Sequence, residues 1–382
     1  VTDADRGAGR ATQGAQGTKL TWRFRAQNVR DFSFGTSSQW LWDAAAAVAG
    51  DRDGDGTPDT TLVQTFYRPE ARAWAWDNAA RYAQHSVEFL SGYLWPYPYA
   101  HMTALDGPVS CGGMEYPMLT CIGGERDTLS LYSVMVHEIG HMWFPMQVGT
   151  DERTHAWMDE GLTRFNQAQG MQAFFPGYDR ETLARQSYLS IAGTGGEVEL
   201  MRHGDHYPYG TRAYGIATYD KMAVNLMSLR AILGDAAFLA AYRDYGRRWL
   251  GRHPTPYDFF YAFERNAGRD LDWFWSPWWY ETWTLDQAVA EVRAGGGRAE
   301  IVVEDRGLAP MPIHLTVTAD SGVVRRVTVP ASVWLDGARR HVVPVDSVGT
   351  VTRVEIDAEQ RFPDVNRANN VWQRAGGAGG PE

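Results

Sequence analysis

The residues whose types and spacing could do chemistry lie first in the segment VMVHEIGHMWF. It holds His137 and His141 four positions apart, with Glu138 between them. Four residues of an α-helix advance about 400° and rise about 6 Å, so both imidazoles project from nearly one face. Two imidazoles so placed can bind one Zn²⁺, and Glu138 stays free to act on the attacking water. The alternative is a helix with two ordinary histidines, because the five-residue pattern alone also arises by chance.

A third ligand for such a site follows further along the chain. Glu160, in HAWMDEGLTRF, comes after His141 with eighteen residues between them and falls on another predicted helix. Two histidines and one glutamate leave a fourth zinc position open, as in catalytic sites, whereas structural zinc sites are closed and usually rich in cysteine. The sequence therefore predicts one catalytic Zn²⁺ per chain, held by His137, His141 and Glu160.

These motifs resemble those of a known family. HEIGH followed by the glutamate of WMDEG is similar to the signature of the gluzincin zinc aminopeptidases, which include aminopeptidase N and leukotriene-epoxide hydrolase. CGGMEYP, at residues 111–117, resembles the family's Gly-x-Met-Glu-Asn exopeptidase motif. TYDKM, at residues 218–222, resembles the segment that holds its catalytic tyrosine. The similarity runs from about Lys19 to about Leu285.

The resemblance implies a division of catalytic roles. Zinc polarises the scissile carbonyl and lowers the pKa of water. Glu138 is expected to take the proton of that water and pass it to the leaving amine. Tyr219 is expected to donate its hydroxyl to the oxyanion, although without the family match it would be interpreted as a core or interface tyrosine. Met222 departs from the family's usual glycine.

The resemblance also implies a substrate-binding segment that makes the enzyme an exopeptidase. The carboxylate of Glu115 would pair with the free α-ammonium of a peptide and so define where the chain must begin. Gly112 and Gly113 would let the strand approach the peptide closely, and Met114 belongs to the same segment. Tyr116 stands where asparagine is usual. The alternative is that Glu115 is a surface residue on an edge strand.

The changing period of apolar residues predicts an α+β protein. Before residue 69, apolar and polar residues alternate in short runs that are typical of strands. Apolar residues then recur every three or four positions, as in helices, to about residue 280, and they alternate again after about residue 298. With the resemblance, this pattern implies a thermolysin-like zinc peptidase catalytic domain with a helical part, followed by a small C-terminal antiparallel β-domain. The predicted segments are a flexible leader (1–18), a remnant of an N-terminal β-region with the start of the catalytic domain (19–68), the catalytic and helical region (69–296), the β-domain (297–358) and a poorly ordered tail (359–382).

One part of the family's architecture is expected to be largely missing. Its members normally carry a complete N-terminal β-saddle domain, which contributes a second anchor for the substrate amine. This sequence shows only the apparent last strands of that domain, LTWRFRAQNVRDFSF. We therefore expect either a short variant of the family or a processed chain. In a processed chain, the missing saddle domain could be supplied as a separate fragment.

Composition restricts the partners and the location. The formal net charge of −10 argues against a basic stripe that could track phosphates, so no nucleic-acid partner is expected. Peptide substrates are what the family resemblance implies. No run of eighteen apolar residues occurs, so no membrane span is expected. The start at Val1, an acidic loop and the appended β-domain favour a secreted or periplasmic protein, with a cytoplasmic location as the alternative.

That acidic loop, DRDGDGTPD, could hold a second cation. Its residues Asp51, Asp53, Asp55 and Asp59 are spaced as in an EF-hand loop, but the twelfth position is Leu62 instead of the bidentate glutamate. A plain Asp-Gly hairpin turn is therefore the favoured interpretation, and Ca²⁺ is the alternative.

The two cysteines, Cys111 and Cys121, flank the predicted exopeptidase segment. If the residues between them are extended, the cysteines are about 30 Å apart, far beyond bridging distance. The spacing therefore favours unbridged cysteines, although a turn at either end of the segment would permit a disulfide.

The motifs together favour a zinc aminopeptidase that hydrolyses the N-terminal peptide bond. A zinc endopeptidase is the nearest alternative, and Glu115 speaks against it. An epoxide hydrolase would share the zinc site. A catalytically silent peptide-binding module is the alternative from a different class, and the joint presence of Glu138, Tyr219 and three ligands argues against it.

Overall fold

The computed structural model describes residues 10–13, 20–25, 27, 29, 31–124, 127–295, 297–346 and 349–374. They form a mixture of helices and strands in two compact units. The first unit draws on residues 1–152, 158–180 and 243–258, and the second on residues 153–157, 181–242 and 259–382. Of the predicted leader, residues 1–9 and 14–18 lie outside the described residues.

The first unit contains a mixed four-stranded sheet with its strands in chain order. Strand β3 is antiparallel to β4, whereas β4, β5 and β6 are parallel to one another. A separate antiparallel pair, β1 and β2, includes part of the predicted leader. The bounds of these strands are β1 (Arg10–Gln13), β2 (Leu20–Arg23), β3 (Leu41–Gly50), β4 (Asp59–Tyr67), β5 (His101–Gly107) and β6 (Leu119–Gly123).

Three helices of the first unit pack beside this sheet and against one another. They are α1 (Ala79–Tyr93), α2 (Thr128–Gly140) and α3 (Glu160–Phe174). Helix α1 connects β4 to the parallel β5, as parallel strands require a crossover. The start of helix α2 is fixed by Asp127 and Ser130, which form a reciprocal capping box. It is therefore held at its start while its last turn carries the HEIGH motif.

Close contact between α2 and α3 depends on a glycine. A Cβ atom at Gly170 of α3 would lie 2.7 Å from the Cγ2 atom of Val136 in α2. Real Cβ atoms essentially never approach so closely, so only glycine allows this spacing of the helices. The two elements that carry the predicted zinc ligands are thereby brought together.

The helices that follow along the chain agree with the helical periods that the sequence predicts. A π-helical segment, Ile216–Lys221, joins two of them. In the second unit, Trp157, Phe260, Trp275 and Trp279 pack ring against ring. The bounds are α4 (Arg180–Leu189), α5 (Ala213–Gly215), α6 (Met222–Leu233), α7 (Asp235–Trp249), α8 (Pro256–Ala267) and α9 (Asp272–Tyr280).

The C-terminal strands form two antiparallel sheets, ordered β11-β8-β7 and β10-β9-β12-β13. Residues of β9 alternate between buried and partly buried, and apolar side chains from both sheets share one core. The first strand begins before the predicted boundary at residue 297, and the last lies in the segment predicted as a tail. The bounds are β7 (Gln287–Gly295), β8 (Arg298–Asp305), β9 (Ile313–Ala319), β10 (Val324–Val329), β11 (Arg340–Asp346), β12 (Val351–Ile356) and β13 (Val371–Gln373).

Among the described residues, no helix combines the length and the apolar character that a bilayer crossing requires.

Candidate metal centre

The three predicted zinc ligands meet at one point in the first unit. The last turn of α2 presents His137, His141 follows directly after that helix, and Glu160 is the first residue of α3. The Nε2 atom of His137 lies 3.1 Å from Oε2 of Glu160 and 3.1 Å from Nε2 of His141. The remaining distance, from Nε2 of His141 to Oε2 of Glu160, is 3.4 Å.

These distances fit a tetrahedral zinc site. Bonds of about 2.0–2.1 Å at tetrahedral angles place neighbouring ligand atoms about 3.3 Å apart. The other ring nitrogen of His141, Nδ1, lies 2.7 Å from Oδ1 of Asp159 and 3.0 Å from the carbonyl oxygen of Phe144. An Nδ1–H donated to these acceptors leaves the Nε2 lone pair free for a metal, as in carboxylate–histidine–zinc arrangements. His137, His141 and Glu160 could therefore hold Zn²⁺.

The charges of the site also favour a cation. Burial lowers the pKa of His137 to about 4, so this imidazole is neutral, as a metal ligand must be. Burial would also lower the pKa of His141, but the carboxylate of Asp159 outweighs it and the pKa rises well above its usual value. Burial would raise the pKa of Glu160, but hydrogen bonds from both histidines outweigh it and lower that pKa. The surrounding carboxylates therefore favour the positively charged form of His141.

The predicted general base, Glu138, lies in the same cluster. It is 6% exposed, and its Oε2 atom has no hydrogen-bond partner among the described residues. Burial, together with the nearby carboxylates, raises the pKa of Glu138 to about 8. A bound cation would favour the charged carboxylate and so lower this pKa. Gly113 makes room for the side chain, because a Cβ atom there would lie 2.2 Å from Oε1 of Glu138.

The predicted exopeptidase segment lies against these residues. Glu115 is buried, and one of its carboxylate oxygens lies within 4.8 Å of ligand atoms of Glu138 and His141. Met114 pairs with Cys121 through two backbone hydrogen bonds, of 3.0 Å and 2.8 Å. Gly112 has a φ of +63°, a conformation that favours glycine. The structure therefore places this segment next to the predicted zinc ligands.

Two carboxylates of the site escaped the sequence analysis. Asp159 and Glu152 lie with Glu115 in one group whose oxygen atoms are within 4.8 Å of one another. Asp159 directly precedes Glu160, a predicted ligand, and this position in the sequence could have identified it as a residue that orients the metal site. Glu152 lies between two motifs in a segment without a recognisable pattern, so nothing in the sequence pointed to it.

Tyr219 lies in the second unit, on the π-helical segment, and is partly exposed. Two residues further on, Lys221 forms a buried ion pair, with its Nζ atom 2.6 Å from Oε1 of Glu197. The same carboxylate oxygen accepts a hydrogen bond from the hydroxyl of Tyr188 at 3.3 Å. Single π-helical turns are frequent at functional sites, and the buried ion pair holds this one in place. The role of Tyr219 itself stays a prediction.

The cysteines correct one expectation. Cys111 and Cys121 form a disulfide, with their Cα atoms 6.2 Å apart, so the prediction of unbridged cysteines is wrong. The residues between them are not extended, because the chain reverses after Tyr116, whose carbonyl accepts a hydrogen bond from the N–H of Leu119. Met118 within this turn has a φ of +61°. The reversal returns Cys121 to the side of Cys111.

The acidic loop folds as a turn. Oxygen atoms of Asp51, Asp53 and Asp59 lie within 4.8 Å of one another. The carboxylate of Asp51 accepts hydrogen bonds from the N–H groups of Gly54 and Gly56, at 2.7 Å and 2.9 Å. These contacts are those of a plain turn, and calcium binding stays an untested alternative.

Comparison with known proteins identifies a peptidase family over just over half of the chain. The sequence profile of the peptidase family M1 domain matches residues 83–278, just over half of the chain. A leukotriene A-4 hydrolase homolog of Botryotinia fuckeliana (strain B05.10) is 24% identical over 305 residues, which are 72% of this chain and 44% of the relative. Aminopeptidase B of Homo sapiens is 34% identical over 159 residues, 38% of this chain and 23% of the relative.

The fold is also similar to that of a solved structure. The crystal structure of Legionella pneumophila aminopeptidase A in complex with aspartic acid matches with a TM-score of 0.63 at 15% identity, covering 85% of this chain and 38% of that chain. The ligand geometry and the profile together define a metallopeptidase-family domain with a candidate zinc site. Within that class, the chain belongs to peptidase family M1. It spans less than half the length of these relatives.

The contact between Asp159 and His141 leads to a prediction about metal affinity. Asp159→Asn should weaken zinc binding by about 10- to 100-fold, because the amide no longer orients and polarises the imidazole. Competition with a chromophoric chelator measures the affinity directly. Asp205→Asn, at an exposed carboxylate of the second unit that pairs with Arg153, is the matched control and should bind zinc as the wild type does. Equal affinities for all three proteins would contradict the assigned role of Asp159.

Proposed function

We propose that the protein is a zinc-dependent aminopeptidase that removes single residues from the N-termini of peptides. The observation that carries the proposal is the position of Glu115, whose carboxylate oxygen lies within 4.8 Å of Glu138 and His141. The amine nitrogen and the carbonyl carbon of one amino acid are only about 2.5 Å apart. If Glu115 holds the ammonium group, only one residue fits between Glu115 and the zinc ligands. The first peptide bond of the substrate then lies at those ligands.

The proposed chemistry divides among few groups. His137, His141 and Glu160 would hold Zn²⁺, which would polarise the carbonyl and lower the pKa of the attacking water. Glu138, which is buried beside the ligands, would take a proton from the attacking water and deliver it to the leaving amine. Tyr219 would donate a hydrogen bond to the carbonyl oxygen as negative charge develops there. Glu115 would hold the α-ammonium through a charge-assisted contact.

A thermolysin-like catalytic domain is the finer fold that we propose for the first unit. The mixed sheet beside α1, α2 and α3, with the ligands on α2 and α3, supports it. The two C-terminal antiparallel sheets with their shared core support a small appended β-domain. The N-terminal saddle domain, and the second amine anchor that it would contribute, stay predictions.

A second candidate activity is epoxide hydrolysis by the same zinc site. It is favoured by one observation, the relative named as a leukotriene A-4 hydrolase homolog. An endopeptidase would have no use for a buried carboxylate that stops the substrate at its first residue. A silent binding module would have no use for Glu138, because its buried Oε2 atom has no hydrogen-bond partner within the described part of the chain and therefore costs stability. We therefore place aminopeptidase activity first.

The disulfide bears on location. Disulfides persist in oxidising compartments and are rare in the cytosol. The bond between Cys111 and Cys121 thus supports our proposal of a secreted or periplasmic protein, with a cytoplasmic location as the alternative.

The roles of Glu138 and Tyr219 are tested by removing one functional group from each. Glu138→Gln should retain zinc and lose about 10²–10⁴-fold in kcat, because general-base catalysis is lost. Tyr219→Phe should also retain zinc and lower kcat by about 10²–10³-fold, because one oxyanion donor is missing. Steady-state kinetics with metal analysis measures both. A Tyr219→Phe protein that changes only in KM would show that the hydroxyl does not act on the oxyanion.

The exopeptidase proposal is tested with a panel of free and N-acetylated aminoacyl amides. Acetylation removes the charge and most donors of the amine, so losing the contact with Glu115 should cost about 2–4 kcal/mol, or about 30- to 1,000-fold in kcat/KM. Free-amine substrates should be cleaved and acetylated ones scarcely at all. Glu115→Gln should reduce the difference in kcat/KM between free and acetylated substrates, because it should impair cleavage of the free-amine substrates only.

The matched control for Glu115→Gln is Glu70→Gln, at an exposed glutamate of the first unit. It should behave as the wild type on both substrate classes. Internal cleavage of blocked peptides at rates comparable to free ones would favour the endopeptidase instead. Turnover of an epoxide but of no peptide would favour the second candidate.

A further inference from the structure

The predicted exopeptidase segment is part of a closed loop. The disulfide between Cys111 and Cys121 joins the two ends of this loop, which contains Gly112, Gly113 and Glu115. The backbone of Met114 is hydrogen-bonded to Cys121 in both directions, and its carbonyl also accepts the hydroxyl of Thr120 at 3.1 Å. Cys121 therefore holds the segment by a covalent bond and by hydrogen bonds at once.

The ends of two strands are shaped around this bridge. Gly107 of β5 and Gly123 of β6 are partners in the sheet. A Cβ atom at Gly107 would lie 2.1 Å from Sγ of Cys121 and 2.9 Å from Sγ of Cys111. A Cβ atom at Gly123 would lie 3.1 Å from Sγ of Cys111. The space for both sulfur atoms thus exists because these positions lack side chains.

The segment needs an external restraint because of its own composition. Gly112 and Gly113 are exposed and, as glycines, lose more conformational freedom on ordering than other residues do. They connect Cys111 to Glu115, whose carboxylate must lie beside Glu138 to hold an amine next to the zinc ligands. The disulfide at Cys111, directly before the two glycines, therefore limits the range of positions that Glu115 can adopt.

We infer that the Cys111–Cys121 disulfide is a positioning device for substrate recognition, which fixes Glu115 for the α-ammonium of the peptide. This inference rests on the proposed aminopeptidase function. It goes beyond fold stability, because it assigns the bond a specific effect on free-amine substrates. The predicted zinc ligands lie at the end of α2, directly after it and at the start of α3, all outside the loop that the bridge closes, so metal binding should survive its loss.

The test compares oxidised and reduced wild-type protein under conditions that keep zinc bound. A phosphine reductant serves best because dithiols chelate zinc; the phosphine takes up the oxygen of one water as phosphine oxide, and the two sulfur atoms become two thiols. Reduction should raise KM for a free aminoacyl amide about 10-fold, equivalent to the cost of ordering about one residue. The kcat value, the zinc content and the slow cleavage of the acetylated amide should change little.

The matched control is the Cys111→Ala/Cys121→Ala double variant, which lacks the bond in either condition. It should show the raised KM without reductant and no further response to it. A binding measurement separates recognition from catalysis: zinc-loaded Glu138→Gln protein should bind the aminoacyl amide that the wild type cleaves fastest about 10-fold more weakly after reduction.

Several results would overturn the inference. One is a reduced protein, with two thiols per chain verified by mass spectrometry, whose KM and preference for free amines are unchanged. Another is unfolding or loss of zinc on reduction, which would make the bond a general stabiliser. An oxidised protein that does not distinguish free from acetylated amides would instead overturn the exopeptidase proposal, so the two failures are distinguishable.

Discussion

Buried negative charge around two imidazoles is the constraint on which the rest of this structure depends. Glu138, Asp159, His137 and His141 are buried, and Glu160 beside them is partly buried. Charges taken out of water are costly unless an opposite charge compensates for them. The raised pKa of His141 indicates that the carboxylates favour a positive charge there, and a dication would compensate for them more fully. A zinc ion bound here would therefore stabilise the fold as well as supply the chemistry, because metal affinity and folding are thermodynamically linked.

The surrounding elements can be understood as means of bringing these groups together. Helix α2 is capped at Asp127, so the position of its last turn is defined. Gly170 lets α3 approach α2, and Gly113 lets the exopeptidase segment approach the general base. The disulfide then restrains the segment from the other side. Each of these features is local, but their effects converge on one cluster of polar atoms.

The helical spacing of His137 and His141 predicted that the two imidazoles lie close together, since an α-helix turns two residues four apart to one face, and their Nε2 atoms are 3.1 Å apart. The helical and alternating periods likewise predicted most helices and C-terminal strands. What the sequence could not show is tertiary in origin. The disulfide depends on a chain reversal at Met118, and the ion pair of Lys221 with Glu197 joins segments that are distant in sequence. No periodicity reports such contacts.

The central claim is that His137, His141 and Glu160 bind one zinc ion. The most direct measurement is a crystal structure of the zinc-loaded protein, with anomalous scattering recorded on both sides of the zinc absorption edge. The account predicts one zinc peak, about 2.0–2.1 Å from the two imidazole nitrogens and at a similar distance from a Glu160 oxygen. A fully active protein whose only zinc peak lies elsewhere, or that shows no such peak, would contradict it.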